Sequence, residues 1–119
     1  MKKESDERFP RRLRIRKRSN YLEVQNNGFK VTSRGFIGLI LMRKSGPAKL
    51  GIITTKRYGN APERNRIRRL IKEAFRRGWI NLPDQMDFVV IPKKNVRKFD
   101  SKSIFDDLGA LGKRARKTV

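Results

Sequence analysis

Leu50–Arg77 reads LGIITTKRYGNAPERNRIRRLIKEAFRR, an apolar run that enters a basic loop and then a long amphipathic segment. Leu50 to Thr55 predicts a strand, because β-branched side chains fit a pleated, buried surface. The loop Lys56-Arg57-Tyr58-Gly59-Asn60 therefore sits at a strand end. Asn60 is the expected N-cap of a helix. Pro62 is tolerated in the first turn, where amides lack intrahelical acceptors, and Glu63 complements the positive end of the dipole. Ile67, Leu70, Ile71, Ala74 and Phe75 recur at helical spacing, so one stripe faces a core. Gly78 is the expected C-cap. At about 100° per residue, Arg66, Arg68, Arg69, Lys72, Arg76 and Arg77 fill the arc away from that stripe, with Arg64 at its edge and Glu73 the main interruption.

Outward from this unit, Pro83-Asp84 marks a loop, and Asp87 to Ile91 a fourth strand ended by Pro92. Upstream, strands at Phe29 to Thr32 and Phe36 to Arg43 flank a hairpin turn at Ser33-Arg34-Gly35, and Ser45-Gly46-Pro47 marks the next turn. Phe36, Gly38, Ile40 and Met42 alternate with Ile37, Leu39 and Leu41, so this strand is apolar on both faces and should be central. A short helix carrying Tyr21, Leu22 and Val24 precedes the hairpin. Ser19 or Asn20 is its expected cap, and Asn27-Gly28 is expected to end it in the left-handed conformation. Ser101 or Ser103 starts a last helix, whose Ile104, Leu108 and Leu111 share a face. The order α-β-β-β-α-β-α defines an α+β single domain with helices covering one sheet. One sheet face can bury the stripe of the basic helix. The other can meet the helix of Tyr21, leaving a groove beside it. Residues 1–12 read as a flexible basic arm ahead of a domain over 13–119.

The chain carries 32 Lys plus Arg against 11 Asp plus Glu, a formal charge of +21 over 119 residues. Arg64, Arg68, Lys72 and Arg76 repel one another at i, i+4, and a polyanion would relieve that repulsion. A solvated helix face normally mixes both signs, whereas this arc is nearly all cationic. Its arginine forks suit phosphate oxygens and stack on bases, which points to nucleic acid. The apolar fraction of 36% suffices for a modest core. The absence of Cys excludes disulfides and thiolate metal sites, and the absence of His excludes histidine-based acid–base or triad chemistry. Asp84 with Asp87, and Asp106 with Asp107, are the densest carboxylate groupings, but neighbours on a helix diverge and the first pair brackets a turn. The longest apolar run, Phe36 to Met42, falls short of the roughly 18 residues of a membrane span. With no apolar signal region either, a soluble cytoplasmic protein is expected.

Lys56, Arg57, Gly59, Asn60, Ala61, Arg64-Asn65-Arg66, Arg69, Leu70, Ile71, Ala74 and Phe75 form a long ordered motif, between Leu50-Gly51-Ile52 and Asp87-Phe88-Val89-Val90-Ile91. Over about residues 13 to 115 this pattern resembles the protein component of bacterial ribonuclease P. The resemblance implies a fold like the second domain of ribosomal protein S5, with a left-handed β-α-β crossover against the usual right-handed rule. It also implies binding to a catalytic RNA that removes the 5′ leader of precursor tRNA endonucleolytically. Magnesium is then used mainly by that RNA, the protein has no catalytic residue of its own, and a protein monomer pairs with one RNA. Lys56, Arg57, Asn60, Arg64, Asn65, Arg66, Arg68, Arg69 and Lys72 would face the catalytic RNA. Tyr21, Gln25 and Phe36 would line a groove for the single-stranded leader. The family favours a second aromatic where this chain has Gln25, which leaves stacking weaker or moved to residues such as Phe36. Tyr21 and Phe36 also fit a plain core role. Pro62 and Glu63 replace apolar residues often found in the helix's first turn. A structural RNA-binding protein of ribosomal type is the competing class and a DNA-compacting protein a weaker third; accelerated cleavage, or a preference for duplex DNA, separates them.

Overall fold

Because Phe36–Met42 is apolar on both faces, it can be covered only from two sides, and the computed structural model, which describes residues 11–119, places it inside a four-stranded sheet. The strands are β1 (Phe29–Thr32), β2 (Phe36–Met42), β3 (Lys49–Ile52) and β4 (Met86–Pro92), in spatial order β1-β2-β4-β3. The helices are α1 (Arg18–Asn27), α2 (Ala61–Arg76) and α3 (Ser101–Thr118), so the expected α+β order holds. β1 and β4 flank β2 in antiparallel register, with Ile40 opposite Phe88. β3 runs parallel to β4, with Leu50 beside Phe88, because α2 carries the chain across between them.

Alternation along β2 and β4 sends side chains to two separate cores. Phe36, Ile40, Leu50, Met86, Phe88 and Val90 pack with Ile67, Ile71 and Ala74 of α2 and with Ile104, Leu108, Leu111 and Ala115 of α3. Each large side chain so buried contributes about 1.5–3 kcal/mol. On the opposite face Val89 packs with Ile15 and Val24, and Tyr21, Leu39, Leu41, Ile53 and Ile91 surround them beneath α1. The sheet edges are also occupied. Arg14 makes a single parallel bridge to Leu50, the Ile15 amide donates to the Leu50 carbonyl at 2.9 Å, and Arg114 of α3 donates to the Thr32 carbonyl.

The ends of α2 follow the sequence closely. Asn60 accepts from the Glu63 amide at 2.9 Å while Glu63 accepts from the Asn60 amide at 2.8 Å, a reciprocal capping box. At the other end Gly78 takes φ +83°, and the Gly78 and Trp79 amides close onto the carbonyls of Phe75 and Ala74. This paired closure satisfies helix carbonyls that lack intrahelical donors.

Elsewhere the structure corrects the expected boundaries. α1 follows Lys17 with no side-chain cap, and Ser19 and Asn20 lie within its first turn. Gly28 is extended (φ −86°, ψ 164°) rather than left-handed. Glycine is required there by proximity, since a Cβ would stand 2.5 Å from the Val24 carbonyl oxygen and 2.6 Å from that of Ile40. α3 does start at Ser101, one of the two expected positions, with Asp100 as its cap, whose carboxylate accepts from the Ser103 amide at 2.8 Å. The 33–35 turn is held by α3: Asp107 accepts from the Ser33 hydroxyl at 2.7 Å and from the Gly35 and Arg34 amides at 2.8 and 3.2 Å. Of the arm expected over residues 1–12, the first ten lie outside the described residues, and Arg11 and Arg12 belong to a short 3-10 turn.

Candidate nucleic-acid interface

The capping box fixes where α2 begins and therefore where its cations point. Arg64 donates to the Gly59 carbonyl at 2.7 Å, folding back over the loop, and Arg68 donates to the Thr54 hydroxyl at 3.3 Å. Lys56, Arg57, Asn65 and Arg69 are exposed, whereas Arg64, Arg66, Arg68 and Lys72 are half-buried. Asn60 differs from the rest: its side-chain oxygen is committed to the helix cap, so it shapes the loop.

Among the described residues the ion pairs of α2 fall on two carboxylates. Glu73 holds Arg76 and Arg77, both at 2.5 Å, and Glu63 stands 3.8 Å from Arg97. The hydrogen bond from Arg76 is the main cause holding the Glu73 carboxyl below its usual range. Arg64, Arg66, Arg68, Arg69 and Lys72 have no such partner among the described residues. Lys72 shows the result, since burial first, then Arg14 and Arg68, push its ammonium below the usual lysine value. Burial likewise pushes the Tyr58 hydroxyl up, opposed by Arg66. The middle of α2 is thus a zone of uncompensated positive charge.

Beside it a groove of about 460 Å³ opens between α1, the end of β3 and α2. Tyr21 lies across Gly51, where a Cβ would come within 2.7 Å of the ring, and its hydroxyl accepts from the Ile52 amide at 3.3 Å. Its ring is therefore both half-buried and groove-lining. Gln25 lies one turn further and also lines the groove. Phe36 does not: it is fully buried on the opposite sheet face, against the core of α2 and α3, because even positions of β2 face that side. Neither stacking nor contact with a bound strand is open to it. Arg68 belongs to both the groove and the cationic arc and joins them.

Sequence reasoning missed Arg16, Arg18, Leu22 and Thr54 as groove residues. For Arg16 and Arg18 the signal was present in the basic run Arg16-Lys17-Arg18 that leads into α1. Three of the four carboxylates weighed as metal ligands are engaged elsewhere: Asp87 pairs with Arg43 at 2.6 Å, Asp106 with Lys102 at 3.0 Å, and Asp107 holds the turn. Among the described residues no cluster of three acidic or other ligating side chains could hold a metal, and no helix is long and apolar enough to cross a membrane.

Fold and surface together define a class of small α+β proteins that set a cationic helix, entered from a parallel crossover, beside an aromatic groove. A family profile for ribonuclease P matches residues 9–116, and the chain belongs to the ribonuclease P protein family. It is 33% identical over 106 residues to the ribonuclease P protein component of Desulforapulum autotrophicum, covering 89% of this chain and 91% of that one. The solved ribonuclease P protein of Thermotoga maritima superposes with TM-score 0.78 at 30% identity, over 85% of this chain and 96% of that one. That of Staphylococcus aureus gives 0.80 at 28% identity, over 87% and 95%.

Proposed function

We propose that this chain is the protein subunit of ribonuclease P, binding the catalytic RNA through α2 and its preceding loop and the 5′ leader of precursor tRNA in the groove beside α1. The observation that carries this reading is the continuity of the two surfaces through Arg68, hydrogen-bonded to Thr54 at the groove wall and part of the uncompensated arc. A leader strand lying along Tyr21 would meet a ring face, which any base can stack upon, with Arg16 and Arg18 available to its phosphates. The arc of Arg64, Arg66, Arg69 and Lys72, with Lys56 and Arg57, would neutralise phosphates of the folded catalytic RNA, and Asn65 would add hydrogen bonds there. Bond cleavage belongs to the RNA, with magnesium as its ion, and the protein acts in the bacterial cytoplasm as a monomer with one RNA. Its contribution is to hold substrate and RNA together where magnesium alone screens their repulsion poorly.

The test is cleavage of precursor tRNA by a bacterial ribonuclease P RNA at low magnesium, with and without this protein, against an equally basic unrelated protein. Specific rescue of correct 5′ maturation is expected. Rescue no better than the control would reduce the protein to a general RNA binder.

A further inference from the structure

Trp79 is the only tryptophan in the chain and remains 41% exposed just beyond α2. Its ring rests on Phe105 of α3, centroids 4.5 Å apart and planes tilted by 52°, and the Arg77 guanidinium lies 5.4 Å from its centroid. It stands at the wall of a concavity of about 870 Å³ whose floor is cut by Gly78, Gly109 and Ala110. α3 packs on the sheet face away from α1, and this concavity shares no lining residue with the Tyr21 groove. Lys102, Lys113 and Arg116 border it against a single acid, Asp106, which Lys102 engages at 3.0 Å. An exposed aromatic beside small residues and a cationic rim matches the needs of an unpaired nucleotide, a flat base to stack and a phosphate to neutralise. The three cations against one paired acid favour an anionic occupant over a neutral apolar segment.

We propose that Trp79 is a second stacking platform, which takes an unpaired nucleotide of single-stranded RNA with Lys113 and Arg116 at its phosphate. The claim goes beyond the function proposed above, since it rests on different residues and none of its readouts involves cleavage.

Because no other tryptophan exists, emission of the full-length protein reports on this site alone. Single-stranded hexa-adenylate should quench it, in wild type and in a Tyr21→Ala background that silences the groove. Inorganic polyphosphate, which offers charge without bases, should not. In the same background, read by the anisotropy of end-labelled hexa-adenylate, Trp79→Leu should weaken hexa-adenylate affinity about five-fold or more, the low end for one stacked base. Lys113→Glu, at an exposed position that leaves both rings in place, should weaken it as well. Equal quenching by polyphosphate, or unchanged affinity in both variants, would overturn the proposal. So would an emission change on raising protein concentration without RNA, accompanied by a doubled mass, which would mark the patch as a contact between copies of the chain.

Discussion

Under the proposed function Lys72 is pulled in opposite directions. Half-buried near Arg14 and Arg68, its charged form is disfavoured in the free domain. Because its folded pKa lies below the unfolded value, this side chain opposes folding at neutral pH. The penalty disappears as pH rises from the lowered value towards lysine's ordinary 10.5. Lys72→Met should therefore raise the urea midpoint of the free protein at pH 7 while weakening its affinity for the catalytic RNA; a fall in both would make Lys72 a structural residue. For Tyr21 the proposal adds leader binding to the structural hydrogen bond it already makes. Tyr21→Phe keeps the ring but leaves the Ile52 amide without its acceptor, at a cost of about 1 kcal/mol in chemical unfolding. Tyr21→Ala should in addition lower affinity for precursor tRNA while sparing mature tRNA, and equal losses on both would count against a leader groove. The assignment of Phe36 to that groove failed for a reason of parity: alternation shows that β2 has two apolar faces, but not which one α1 will cover.

At the scale of elements, α2 depends on its two ends. Asn60→Ala removes half of the capping box and should cost about 1 kcal/mol of stability. Gly78→Ala meets no atom within 4 Å, so its cost, again about 1 kcal/mol, would come from φ +83° alone. Urea unfolding of both variants checks these values. These ends were legible in the sequence because Asn60, Glu63 and Gly78 each act through local backbone geometry. The start of α1 was not. Pairing of Arg14 with Leu50 and burial of Ile15 fix where the chain leaves the sheet, so the helix begins after Lys17 although better capping side chains follow. α3 starts at Ser101, one of the two expected positions, while Asp100, Ser101 and Ser103 all offer a capping oxygen and only the fold selects Asp100. The 3-10 turn at Lys94–Lys98 has a single buried residue, Val96, and no periodicity to read.

Across the whole molecule the charge of +21 governs how RNA is held. If about 6–10 phosphates are contacted, affinity should fall by about 10³–10⁵ between 50 and 200 mM salt. Arg68→Ala should reduce the slope of log affinity against log salt by about 1, without loss of fold; an unchanged slope and affinity would remove Arg68 from the interface. The bridge of Arg14 to Leu50, the Tyr21 hydroxyl on Ile52 and the Arg114 contact at Thr32 carry a different consequence. An open strand is a template on which another chain can grow, and a protein awaiting its RNA meets copies of itself first. Here the β3 flank is covered by Arg14, Ile15 and the Tyr21 hydroxyl and the end of β1 by Arg114, so contacts that shape one wall of the groove also leave less open strand on which copies of the free protein could pair.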